Sequence, residues 1–78
     1  MTNFEKIRDI VAKQLDIDDI EGISMETSIM EDLDADSLDA VEVMMNLEDE
    51  FKIEIPDGDA EEFKNIGDIV RYIENKIQ

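Results

Sequence analysis

The sequence contains no cysteine, no histidine and no tryptophan. Without cysteine there is no disulfide, no thiolate metal site and no thiol for covalent chemistry, so any thiol the protein uses has to be supplied. Without histidine, the commonest general base at neutral pH is missing. Cations are scarce as well: 7 Lys and Arg stand against 23 Asp and Glu, a formal net charge of -16. So few cations cannot neutralise a run of phosphates, which argues against nucleic acid and anionic lipid and leaves basic proteins as the natural partners. No apolar run approaches membrane-spanning length, and Thr2-Asn3-Phe4-Glu5-Lys6 lacks the apolar core of a signal peptide. The expectation is a cytoplasmic protein with no membrane insertion, although a precursor with a removable transit peptide would leave the same residues.

What remains is aliphatic and acidic. Hydrophobic residues make up 42% of the 78 positions and aromatics 5%, which predicts one small core of aliphatic side chains on a few helices, a single domain over 1–78. That length is too short for an enzyme enclosing a substrate in its own deep pocket. The charge is uneven: between Gln14 and Phe51 there are fourteen acids and no Lys or Arg, with the cations at the two ends. This middle is the expected contact surface, with simple solvation of a soluble or halophilic protein as the plain alternative.

Thr2-Asn3-Phe4-Glu5 has the form of a capping box, and Phe4, Ile7, Val11 and Leu15 follow at helical spacing, predicting a first helix over 3–15. From Asp16 to Ala35 no helical period persists, yet Ile17, Ile20, Ile23, Met25, Ile29, Met30 and Leu33 punctuate the acids. A loop this long and apolar is expected to pack across the helices and to hide a short helical turn. Asp36 reads as an N-cap with Asp39 in the first turn of a second helix, 37–51. Pro56 ends the extended Ile53-Glu54-Ile55, and a short third helix of one or two turns is expected from an Asp57 cap toward Phe63. Asn65, with Asp68 three residues on, caps a last helix whose Ile66, Ile69, Val70, Ile73 and Ile77 form one apolar stripe. The fold class is therefore all-α, a small four-helix bundle of three main helices and one short one, with a long loop between the first two.

The second helix has apolar residues on two sides. At about 100° per residue, Ala40, Val43, Met44, Leu47 and Phe51 share a core face, while Leu38, Val41 and Met45 gather opposite, flanked by Asp39, Glu42, Glu48 and Asp49. One reading is that the 16–35 loop covers this second stripe. The other is an exposed apolar strip in an acidic frame, suited to a partner with an apolar groove rimmed by Lys and Arg.

Ser37 opens this helix, where backbone N–H groups lack intrahelical acceptors and the dipole is positive, a favourable field for a phosphate ester. As a hydrolase nucleophile it has no partner: there is no histidine, and Leu38-Asp39-Ala40 follows where a Ser-x-x-Lys pairing would place the base. Standing alone, it would be an ordinary helix-start serine.

It does not stand alone. Asp36-Ser37-Leu38-Asp39-Ala40-Val41-Glu42, preceded by Leu33 and Ala35 and followed by Leu47-Glu48-Asp49-Glu50-Phe51 and Ile55-Pro56-Asp57, resembles the acyl carrier proteins. Gln14-Leu15, Asp68, Tyr72 and Ile73 extend the likeness over essentially the whole chain. The resemblance implies that a phosphopantetheinyl transferase attaches 4'-phosphopantetheine from coenzyme A to Ser37, in a magnesium-dependent reaction that Asp36 helps to orient. The arm then brings the thiol the chain lacks. Acyl groups would ride on it as thioesters, presented to synthase, reductase, dehydratase and acyltransferase enzymes with basic docking patches, by a carrier that is monomeric and performs no chemistry itself. The resemblance further implies partner recognition by Leu38, Asp39, Val41, Glu42, Met45 and Glu48, and an acyl-chain cavity lined by Val43, Leu47, Phe51, Ile55, Phe63, Ile66 and Ile69. An aliphatic, methionine-bearing core opens such a cavity cheaply, at a cost in stability.

One residue departs from the pattern. Family members commonly have glycine where this chain has Asp34; if that position needs positive φ, aspartate is a tolerant replacement. The departure leaves open a primary fatty-acid carrier, a polyketide carrier or a D-alanyl carrier. Two rivals lie outside the family. Asp32-x-Asp34-x-Asp36 imitates the start of a calcium-binding EF-hand loop, but its sixth position is Ser37 rather than glycine and its twelfth is Val43 rather than glutamate, so it predicts weak divalent binding at most and no metal site. An unmodified acidic interaction protein shares the charge but gives Ser37 no role.

Overall fold

The computed structural model describes residues 2–77, and all regular structure among them is helical. The elements are α1 (Asn3–Leu15), a single 3-10 turn (Ile20–Gly22), α2 (Ser37–Phe51), α3 (Asp57–Ala60) and α4 (Ile66–Ile77). α1 packs against both α2 and α4, and the core between them is aliphatic. Ile7 and Val11 of α1, Val43 and Leu47 of α2, and Ile66, Ile69 and Ile73 of α4 are fully buried.

Each long helix starts where its cap lies. The Glu5 N–H donates to Thr2 Oγ1 at 3.1 Å and the Thr2 N–H returns to Glu5 Oε1 at 2.8 Å, closing the capping box of α1. This exchange, led by the Thr2 backbone, holds the Glu5 carboxyl below its usual range. At α4 the Asp68 N–H donates to Asn65 Oδ1 at 2.9 Å, while the Asp68 carboxylate accepts the Lys64 N–H and pairs with Arg71 at 2.7 Å, which lowers its pKa. α1 and α2 both end in left-handed residues, Asp16 (φ 57°) and Lys52 (φ 56°), that stop the helical path.

The loop 16–35 packs as its apolar content predicts. Ile23, Ile29 and Ala35 join the core and Ile17, Ile20 and Leu33 lie partly buried against it. The same loop completes α4, whose first N–H groups have no intrahelical acceptor. Ile66 N–H donates to the Thr27 carbonyl at 2.9 Å and Gly67 N–H to the Met25 carbonyl at 2.7 Å. A β-carbon at Gly67 would lie 3.0 Å from that Met25 oxygen, a contact that fits only if the loop gives by a few tenths of an ångström.

Two local expectations are corrected. Asp57 is the first residue of α3 rather than its cap; extended Pro56 (ψ 147°) holds the cap position, offers no side-chain acceptor, and takes the Asp59 and Ala60 N–H groups on its carbonyl. α3 itself makes one turn, Asp57–Ala60, within the one or two expected, and the chain continues toward Phe63 through tighter turns. Ile77, the last residue of α4, is exposed rather than buried with Ile66, Ile69, Val70 and Ile73.

Candidate functional site

Ser37 is the first residue of α2, and the chain reaches it through two constrained positions. Asp34 adopts φ 59°, the left-handed region that glycine fills without strain and aspartate tolerates. Ala35 is buried, its N–H donating to the Ile29 carbonyl at 3.1 Å. Asp36 then caps the helix: its Oδ1 accepts the Asp39 N–H at 2.9 Å, and Asp39 Oδ2 accepts the Asp36 N–H at 3.4 Å. The reciprocal exchange is a capping box with aspartate as its third residue, which the usual Glu or Gln pattern in sequence does not flag. Both carboxylates are thus engaged beside Ser37, whose hydroxyl is exposed at the positive end of the helix.

A partly open pocket of about 710 Å³ begins at Ser37 and runs between α2 and the segment from Ile55 to Ile69. Its wall is largely apolar, from Ala40, Val41, Met44 and Met45 on α2 and from Ile55 and Phe63 across from them. A size within about 300–1,000 Å³ and an apolar wall with few polar groups are the properties of small-molecule sites. Of the residues expected around a cavity, Ile55, Phe63 and Ile69 line this pocket. Val43, Leu47 and Ile66 lie instead in the fully buried core, and Phe51 sits partly buried with Lys6 Nζ 6.0 Å from its ring centroid. Whether a buried side chain meets a packed wall or has space beside it depends on what another segment places opposite. Met30 and Lys64, and on α2 Ala40, Val41, Met44 and Met45, line the pocket without having been expected there.

Leu38, Val41 and Met45 of α2 are 66%, 52% and 57% exposed, and Val41 and Met45 also line the pocket. The loop does not cover them, and their order along the helix makes one strip beside Ser37. The flanking acids differ in environment. Asp39 serves the cap, and Glu42 accepts a hydrogen bond from Gln14 Nε2, itself oriented by Asn46 Nδ2 donating to Gln14 Oε1 at 2.7 Å. Glu48 turns inward, its Oε2 accepting the Ile55 N–H at 2.7 Å. Among the described residues, no three Asp or Glu side chains converge into a metal-holding group; Asp32 is committed to the Ser28 N–H at 2.8 Å.

Several properties of this arrangement fit a phosphodiester-linked prosthetic arm. The serine is accessible, helix N–H groups without intrahelical acceptors surround it, and an apolar pocket opens at its side. Comparison with known proteins agrees. Residues 5–73 match the family described as phosphopantetheine attachment site. An acyl carrier protein of Clostridium acetobutylicum is 57% identical over 70 residues, 90% of this chain and 90% of that protein. One from Campylobacter jejuni subsp. doylei is 51% identical over 75 residues, 96% of each chain. A solved structure of a proposed acyl carrier protein from Mycobacterium tuberculosis superposes with a TM-score of 0.89 at 31% identity, covering 96% of this chain and 99% of that one. An all-helical fold, a capped serine beside an apolar pocket and family-wide similarity together show that the chain belongs to the acyl carrier proteins, which bear phosphopantetheine and act as carriers rather than enzymes.

Proposed function

We propose that Ser37 is the attachment point of 4'-phosphopantetheine and that residues 1–78 act as one carrier domain delivering acyl thioesters to the enzymes of fatty-acid biosynthesis. The observation that carries this reading is the position of Ser37, exposed at the capped start of α2 and at the rim of the apolar pocket. The arm supplies a thiol for thioesters. The chain's own residues supply the rest: the Asp36–Asp39 capping box holds the serine at the helix end, and the pocket offers an aliphatic group shelter from water. Leu38, Val41 and Met45 form the docking strip, with Asp39 and Glu42 as acidic steering groups. Its partners are the transferase and acyl-processing enzymes with basic patches. The reading includes a cytoplasmic place of work, alongside these soluble enzymes. Among the described residues, no helix is long and apolar enough to cross a membrane.

Incubation of the unmodified chain with coenzyme A, magnesium and a broad-specificity phosphopantetheinyl transferase, followed by intact-mass measurement, tests the attachment. The expected result is one phosphopantetheine added to the wild type and none to Ser37→Ala; no gain, or an equal gain on both, sinks the reading. Glu42→Lys is expected to slow the modification at unchanged helicity, because charge reversal beside the strip opposes a basic partner.

A further inference from the structure

α3 buries none of its own residues fully, and Ala60 is its one side chain packed, partly buried, against the core. Two hydrogen bonds to carboxylates lie at its ends. Ahead of it, Glu48 Oε2 on α2 accepts the N–H of Ile55, a buried residue of the pocket wall, at 2.7 Å. Within it, Asp59 Oδ2 accepts the hydroxyl of Tyr72 on α4 at 2.8 Å. The Tyr72 ring meets Phe63, also of the pocket wall, edge-on with centroids 5.2 Å apart. The segment from Ile55 to Phe63 is thus fastened to α2 at one end and α4 at the other.

We propose that Glu48 and Asp59 are positioning residues that latch this segment as a flap over the pocket, and so set how well an aliphatic group carried on Ser37 is sheltered. The proposal rests on Ser37 as the attachment point. Ile55, with Ala60 and Phe63 partly buried, anchors the segment on the core, and because its other residues are exposed or half-buried each hydrogen bond adds appreciably to the free energy of opening it locally. Glu48 then has a different task from the acids around the docking strip: the latch needs an acceptor oxygen, whereas docking needs a negative charge. Glu48→Gln keeps the acceptor and discards the charge, and Glu48→Ala discards both. On the α4 side, Tyr72→Phe removes the donor while keeping the ring against Phe63.

Two measurements test the latch. In the unloaded chain, hydrogen exchange followed by NMR is expected to show the Ile55 amide equally protected in the wild type and Glu48→Gln. In Glu48→Ala it should exchange about fivefold faster, the factor that about 1 kcal/mol of lost hydrogen bonding gives. Glu42→Ala leaves it unchanged. In the chain loaded with an aliphatic acyl thioester, cleavage by hydroxylamine is expected to accelerate by a similar factor in Glu48→Ala and in Tyr72→Phe, but not in Glu48→Gln. Unchanged Ile55 exchange in Glu48→Ala overturns the latch, as does equal loss in Glu48→Gln, which would assign the role to charge. Faster Ile55 exchange with unchanged thioester cleavage overturns the sheltering role. If Glu48→Ala fails to fold, Glu48→Gln and Tyr72→Phe still decide the matter. A chain that cannot be loaded at Ser37 refutes the attachment reading instead and leaves the Ile55 measurement standing.

Discussion

At the scale of single residues, Tyr72 reports most directly on its surroundings. Burial of the ring and the hydrogen bond to the Asp59 carboxylate raise its phenol above the ordinary 10.0, with the Asp59 and Glu48 charges adding to the effect. The neutral phenol is the form the fold favours, so its contribution to stability is complete below the unfolded value and is lost as pH rises through the folded one. Because the chain has one tyrosine and no tryptophan, tyrosinate absorbance follows this group alone. The folded chain is expected to titrate at higher pH than the urea-unfolded chain, with Asp59→Asn moving the folded midpoint down; coincident folded and unfolded curves would contradict it. Asp34 makes a second case. Aspartate tolerates its left-handed backbone, whereas a β-branched side chain does not. Asp34→Val should cost about 1–2 kcal/mol in urea unfolding, and Asp34→Gly much less. A valine variant as stable as the wild type would show that the loop before Ser37 has another conformation.

At the scale of elements, the helices are bounded by local chemistry but joined by a loop that does more than connect. The loop 16–35 gives core side chains to α1 and α2 and gives two carbonyls to the N-terminus of α4. Gly67 is the tightest point of that junction. Alanine is the better helix former by about 1 kcal/mol, but its β-carbon would press on a backbone oxygen held by a hydrogen bond. Overpacking of this kind costs about 1–3 kcal/mol, so Gly67→Ala is expected to lower stability by about 1 kcal/mol rather than raise it. Thermal melts decide the sign. An increase in Tm would mean that the loop moves away without loss. α3 is the opposite kind of element: it has one turn, no fully buried residue, one hydrogen bond just ahead of it at Ile55 and one within it at Asp59.

At the scale of the whole molecule, charge opposes the fold. With a net charge of -16 and two ion pairs among the described residues, Arg8–Asp9 and Arg71–Asp68, most carboxylates repel one another with little compensation. Screening over about 10 Å at 0.1 M salt should relieve this. Raising sodium chloride from a few tens of millimolar to about 0.5 M is expected to lift Tm by about 5 °C, the shift that about 1 kcal/mol gives in a domain this size; a flat salt response would mean that repulsion contributes little. The helix starts at Thr2, Asp36 and Asn65, the core stripes of α1 and α4, the two-sided α2 and the place of Ser37 at its head were all legible in the amino-acid order. Caps and 3.6-residue periods are local properties, and a side chain a few residues from its partner needs no knowledge of the rest of the fold. Long-range geometry could not be read that way. That Val43 and Leu47 fill solid core while Met44 and Ile55 face a pocket, that Glu48 turns inward to Ile55 while Glu42 meets Gln14, and that α3 ends after one turn all depend on what another segment places opposite them. A residue's period assigns it to a face of its helix, but whether that face meets packed atoms, an open pocket or solvent is set by neighbours distant in the chain.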